Sequence, residues 1–126
     1  MSEAIPNPQE FKALLARLWE ETKEVTLGRI TVIEDASSSL MCGLLTPDLH
    51  ARAASEAHKL AGSLGTFGFS EESRLSRTIE QMLKAEADLD RDRGSQLAQL
   101  LRQLRCELEK APRKYWASET KNGSQE

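Results

Sequence analysis

From Gln9 to about Met41 the apolar side chains Phe11, Leu14, Leu15, Leu18, Trp19, Val25, Ile30, Ile33 and Leu40 recur mostly at three- and four-residue steps, the period that lines one side of an α-helix. The spacing predicts one long helix, or a broken one. The run Ile30, Thr31, Val32, Ile33 has the composition of a strand, but no second alternating segment exists to pair with it, and a sheet is rejected. Gly43 ends the first helix. Thr46, Pro47 and Asp48 then read as N-cap, first helical residue and a favourable acid in the first turn, opening a second helix from Pro47 to roughly Thr66. The segment Gly65, Thr66, Phe67, Gly68, Phe69 breaks it. Ser70, followed by Glu71 and Glu72, reads as the N-cap of a third helix reaching about Ala87, with Leu75, Ile79, Met82 and Leu83 as its apolar stripe. After a charged turn from Asp88 to Gly94, Leu97, Leu100, Leu101, Leu104 and Leu108 mark a fourth helix. Four amphipathic helices with short connections predict an all-α fold, an antiparallel four-helix bundle over residues 1–117. From Ser118 the sequence SETKNGSQE has no apolar side chain, and residues 118–126 read as a polar disordered tail or linker.

Length and composition narrow the function more than the fold. A chain of 126 residues supports one core, and so one site rather than a cleft between domains. Twenty acidic residues are intermixed with 17 basic ones, so no basic footprint for nucleic acid exists. The N-terminal MSEAIPNPQE lacks the basic flank and apolar run of a signal peptide, and no stretch approaches the length of a membrane span. The chain therefore reads as cytoplasmic. Cys42 and Cys106 are far apart, lack metal-ligand spacing and read as free thiols in a reducing compartment.

The candidate chemistry is on the second helix. At about 100° per residue, Leu49, Ala53, Ala57, Leu60 and Leu64 share one arc, and His58 lies roughly 140° from its centre. The neighbours of His58 on the helix surface are Ala51, Ala54, Ser55, Ala61, Gly62 and Gly65. All are small, so a large partner could reach the imidazole. Gly62 costs about 1 kcal/mol relative to Ala in mid-helix, which suggests a steric reason for the space. The competing reading is that these small residues let another helix pack closely, with His58 an ordinary side chain. His50, two turns away, cannot share a metal with His58, and no metal site is expected. A Ser/His/Asp hydrolase finds no nucleophile-elbow pattern and no α/β architecture.

The run EAHKLAGSLGTFGF, Glu56 to Phe69, resembles the signature of histidine phosphotransfer (HPt) domains: His58, an apolar residue two positions on at Leu60, and glycines at Gly62 and Gly68. The likeness continues into the third helix, where Leu75 and Ile79 fill apolar positions and Glu80 a polar one. Ala61 departs from the family, which commonly has Lys there. Lys59 and Lys84 are alternative sources of positive charge near a phosphohistidine. The resemblance implies a phosphocarrier rather than an enzyme, its His58 accepting and returning a phosphoryl group between receiver-domain aspartates. An imidazole, with an ordinary pKa of about 6.5, offers a neutral nucleophilic nitrogen near neutral pH. Glu80 is then the acceptor for the inner ring N–H. The docking surface is expected to include Ala54, Ser55, Lys59, Ala61, Gly62 and Arg77.

The resemblance also implies the partners: response-regulator receiver domains, with a hybrid sensor kinase as a further class, and neither nucleic acid nor membrane. No cofactor is expected on this chain, Mg²⁺ belonging to the receiver, and the chain reads as part of a larger signalling protein. One alternative is a non-phosphorylated scaffold of the same shape that binds receivers or kinases, favoured by Ala61. Another, the dimerisation domain of a sensor kinase, needs an exposed seam and an ATP-binding domain, and no nucleotide motif is present in the sequence.

Overall fold

A computed structural model describes residues 7–85 and 89–117. It contains four helices, α1 (Pro8–Met41), α2 (Pro47–Thr66), α3 (Ser70–Lys84) and α4 (Arg91–Trp116), and no strand among the described residues. The polar segment 118–126 lies outside the described residues.

α1 is one unbroken helix. It starts in a capping box that the hydrophobic pattern did not reveal: the Asn7 side chain accepts from the Glu10 N–H at 2.8 Å, and the Glu10 side chain accepts from the Asn7 N–H at 3.4 Å. The β-branched residues fit because Ile30 and Ile33 are fully buried, while the hydroxyls of Thr22, Thr26 and Thr31 donate to carbonyls four residues back. The helix closes on Gly43, at φ 73°, with Gly43 N–H donating to Leu40 and Leu44 N–H to Ser39, the bond pair of a Schellman turn. α2 begins at the expected cap, Thr46 accepting from Leu49 N–H at 3.1 Å. It closes in the same way on Gly68, at φ 82°, with bonds from Gly68 to Gly65 and from Phe69 to Leu64.

Three boundaries differ from expectation. Ser70 is the first residue of α3 and not its cap; Phe69 occupies the cap, its carbonyl accepting from Ser73 N–H and its side chain fully buried. Burial of that ring, and not a capping hydroxyl, sets where α3 starts. α3 stops at Lys84 because Ala85 is extended, short of Ala87, and residues 86–88 lie outside the description. Gly94, expected in a turn, is inside α4, which starts from the cap Asp90. Its lack of a side chain lets α4 touch α1: an added Cβ would lie 2.8 Å from Met41 Cγ and 3.2 Å from the Ser37 carbonyl. Ser37 Oγ donates to the Gly94 carbonyl at 2.8 Å.

Cross-helix pairs give the directions. Arg29 meets Glu56, His58 meets Glu80, Arg93 meets the Met82 carbonyl, and Arg105 meets Glu34; with short connections, each neighbour runs antiparallel to the last. Ile30, Ile33, Ala53, Ala57, Leu60, Leu64, Ile79, Leu83, Leu97, Leu101 and Leu104 fill the centre. One end is closed by aromatic rings: Phe69 lies 5.1 Å from Trp19 and 4.8 Å from Trp116 between centroids, spacings that favour edge and tilted contacts. Beside them the buried Glu72 carboxylate accepts from Tyr115 Oη at 2.9 Å and Lys114 Nζ at 3.5 Å. A buried carboxylate without such donors would be costly.

Candidate functional site

α2 and α3 lie close together because their facing residues are small. Ser73 Oγ donates to the Ala61 carbonyl at 2.7 Å, and a Cβ at Gly65 would meet Ser73 Oγ at 3.4 Å. The small residues around His58 thus divide by role. Ala61 is buried and Gly65 faces Ser73, so these two serve helix packing, whereas Ala51, Ser55 and Gly62 are exposed and Ala54 is half-buried. Ala61, expected on the docking surface, sits on the flank of the buried arc and contributes a wall of the depression beside His58.

Close packing brings Glu80 to His58. The Glu80 carboxylate oxygen Oε2 lies 3.0 Å from His58 Nδ1 and 2.9 Å from Lys84 Nζ. The Glu80 side chain is only 11 % exposed, and that of His58 is 74 % exposed. A buried oxygen therefore holds one ring nitrogen, while the outer nitrogen Nε2 has no partner among the described residues. With the carboxylate ionised, Nδ1 is the donor, so Nε2 keeps its lone pair. Glu80 stays ionised readily: the Lys84 hydrogen bond holds its carboxyl below the ordinary carboxylate value, burial acts in the opposite sense, and the His58 bond lowers it further.

An open depression of about 480 Å³ adjoins the ring, lined by His58, Ala61, Gly62, Arg77, Glu80, Gln81, Lys84 and Ala85. Of the two lysines expected to compensate for Ala61, Lys84 is in this lining. Lys59 is not; its ammonium is 3.9 Å from Glu56, which also accepts from Arg29 at 2.8 Å. Arg77, expected only as a docking residue, is in the lining and makes no ion pair or hydrogen bond among the described residues. Gln81 was not foreseen, although its place four residues after Arg77 and three before Lys84 puts it on their face. Ala54 and Ser55 lie outside the lining, one turn earlier on α2. His50 has a separate structural task, its Nε2 bonding the Leu83 carbonyl in the last turn of α3, where helix carbonyls lack partners.

No group of three or more His, Cys, Asp or Glu side chains among the described residues is placed to hold a metal ion. Cys42 and Cys106 are exposed and free. No helix in the described residues is long and apolar enough to cross a membrane.

The described residues thus form a helical bundle that presents an exposed imidazole, its inner nitrogen against a buried carboxylate of the next helix. The Hpt domain family matches residues 13–107, and the chain belongs to that family. It is similar to protein RcaC of Microchaete diplosiphon, 33 % identical over 75 residues, which cover 60 % of this chain and 12 % of RcaC. The chain thus corresponds to a small part of that relative. No solved structure matches it.

Proposed function

We propose that His58 accepts a phosphoryl group from the aspartyl phosphate of a response-regulator receiver domain and returns it to another, within a phosphorelay. The observation that carries this reading is the His58–Glu80 pair, an exposed ring with its inner nitrogen tied to a buried carboxylate. Nε2 attacks phosphorus, the P–O bond to the receiver's aspartate breaks, and the carboxylate leaves with the bonding electrons. Because Nδ1 retains its proton, the product ring is a phosphorylated imidazolium, and its positive charge faces the Glu80 carboxylate. Reversal needs the same charge, since the imidazolium is then the leaving group. Phosphoryl transfer depends mainly on positioning and charge neutralisation. Lys84 and Arg77 supply the positive charge that Ala61 does not; Lys59, engaged by Glu56, contributes less.

The receiver brings the aspartate and Mg²⁺, so this chain acts as a carrier and needs no cofactor of its own. Ala54, Ser55 and Gly62 form the low rim over which the receiver approaches, with Arg77 on the opposite side. A hybrid sensor kinase would be the source of phosphate in a cytoplasmic pathway, and the domain would work within a larger signalling protein. The competing scaffold reading draws on Ala61 alone. Purified protein incubated with a phosphorylated receiver and Mg²⁺ decides between them: acid-labile, base-stable label on wild type and none on His58→Gln supports the carrier. A folded wild type that takes no label from several receivers supports the scaffold.

A further inference from the structure

Four of the five large hydrophobic residues exposed among the described residues lie on α1: Phe11 at 50 %, Leu14 at 43 %, Leu18 at 40 % and Val25 at 58 %. Phe11, Leu18 and Val25 are seven residues apart, and Leu14 falls between the first two, the spacing of a helix-to-helix seam. No residue from Pro8 to Leu18 is buried; Trp19 is the first. Leu15 is the first residue of the helix to pack against the core, so the segment before it projects about 10 Å beyond the packed part, and the stripe from Phe11 to Val25 stays exposed. The polar segment 118–126 contains no apolar side chain with which to cover it.

We propose that a second copy of this chain covers the stripe, the two α1 helices packing antiparallel about a two-fold axis between positions 19 and 20. In that register Leu14 lies against Val25 of the second copy. Phe11 lies over Gly28 of the second copy, an exposed mid-helix glycine around which an added Cβ would meet nothing within 4 Å. Leu18 meets the methylenes of Glu21 of the second copy, whose carboxylate remains in water.

Charge argues for a like partner in this orientation. Arg17 and Glu24 lie on the same flank of the stripe and make no ion pair or hydrogen bond among the described residues. Antiparallel packing puts this flank against its own copy, so that each Arg17 faces Glu24 of the other, twice by symmetry. A parallel pair would set that flank against the other one, where Thr22 and the already paired Arg29 lie. The phosphorylation site is left open. On α2, Glu56 faces α1 and His58 faces α3, so the dimer carries two accessible imidazoles on sides away from the seam.

Sedimentation equilibrium of the whole chain tests this independently of phosphotransfer. The wild type is expected to dimerise reversibly, and Leu14→Glu/Leu18→Glu to be monomeric with unchanged helical circular dichroism, since both positions are exposed. Arg17→Glu alone is expected to weaken the dimer about tenfold, and Arg17→Glu/Glu24→Arg to recover most of the loss. A wild type monomeric to about 1 mM would assign the stripe to another protein and overturn the proposal. So would a dimer indifferent to the leucine substitutions, or one unmoved by either charge variant.

Discussion

Replacing Glu80 by alanine removes one oxygen that two donors share, His58 Nδ1 at 3.0 Å and Lys84 Nζ at 2.9 Å. A hydrogen bond to a charged acceptor contributes about 1.5–3 kcal/mol. His58 is 74 % exposed, so water replaces part of the lost bond and about 1–2 kcal/mol of orientation and charge stabilisation disappears. If that energy is expressed in the transition state, phosphoryl transfer slows by about 5- to 30-fold. Glu80→Gln retains an acceptor for Nδ1–H without the charge, and a neutral bond is roughly half as strong; its loss is predicted at about threefold. Rapid-quench transfer from a phosphorylated receiver measures the rates, and ¹⁵N NMR of the unphosphorylated protein measures the tautomer of His58. Alanine is expected to shift the tautomer population away from Nδ1–H, an effect that a purely structural role for Glu80 would not produce. Wild-type transfer with the tautomer unchanged in Glu80→Ala would refute the orienting role.

Lys84→Met is predicted to raise the Glu80 carboxyl toward its ordinary value, because the Lys84 bond is the main cause of its depression. A depressed carboxyl stabilises the fold fully above its unfolded value, about 4.3, and loses that contribution as pH falls through the lowered value. The stability difference between wild type and Lys84→Met should thus be constant near neutrality and shrink below about pH 4, as read by urea unfolding across pH; a difference constant into acid denaturation would contradict it. Gly62→Ala meets nothing within 4 Å and should stabilise α2 by about 1 kcal/mol while slowing transfer, since its methyl occupies the rim beside His58; gain in the urea midpoint without slower transfer would remove the steric reason for this glycine. Tyr115→Phe removes the shorter of the two bonds to the buried Glu72 carboxylate, leaving Lys114 at 3.5 Å, and takes away the partner of the Glu71 N–H; it should lower the unfolding free energy by about 1–3 kcal/mol, and an unchanged urea midpoint would show that the Tyr115 contact carries little.

Local patterns wrote most of the bundle into the sequence. Thr46–Pro47 opens α2 as its residue types require, and Gly43 and Gly68 end α1 and α2 because only a residue tolerant of positive φ completes those turns. The boundaries that were not legible depend on distant contacts. Phe69 caps α3 because its ring belongs to the aromatic cluster, and Gly94 is helical because its bare Cα faces Met41. The site divides in the same way. His58 stands out on its own helical wheel, whereas Glu80 follows from the resemblance, because its meeting with His58 depends on the packing of α2 against α3. The burial of Ala61, the diversion of Lys59 to Glu56 and the entry of Arg77 and Gln81 into the lining all depend on how α2 and α3 pack together. One helical wheel at a time does not contain that information.

In the proposed mechanism His58 carries the phosphoryl group on its outer nitrogen while Glu80 holds the inner one. Long-range ¹H–¹⁵N and ³¹P NMR of the protein phosphorylated by a receiver domain tests both halves at once. Phosphorus bonded to Nε2 of His58, with Nδ1 still protonated, is the expected result. Phosphorus on Nδ1, or on any residue other than His58, would contradict it.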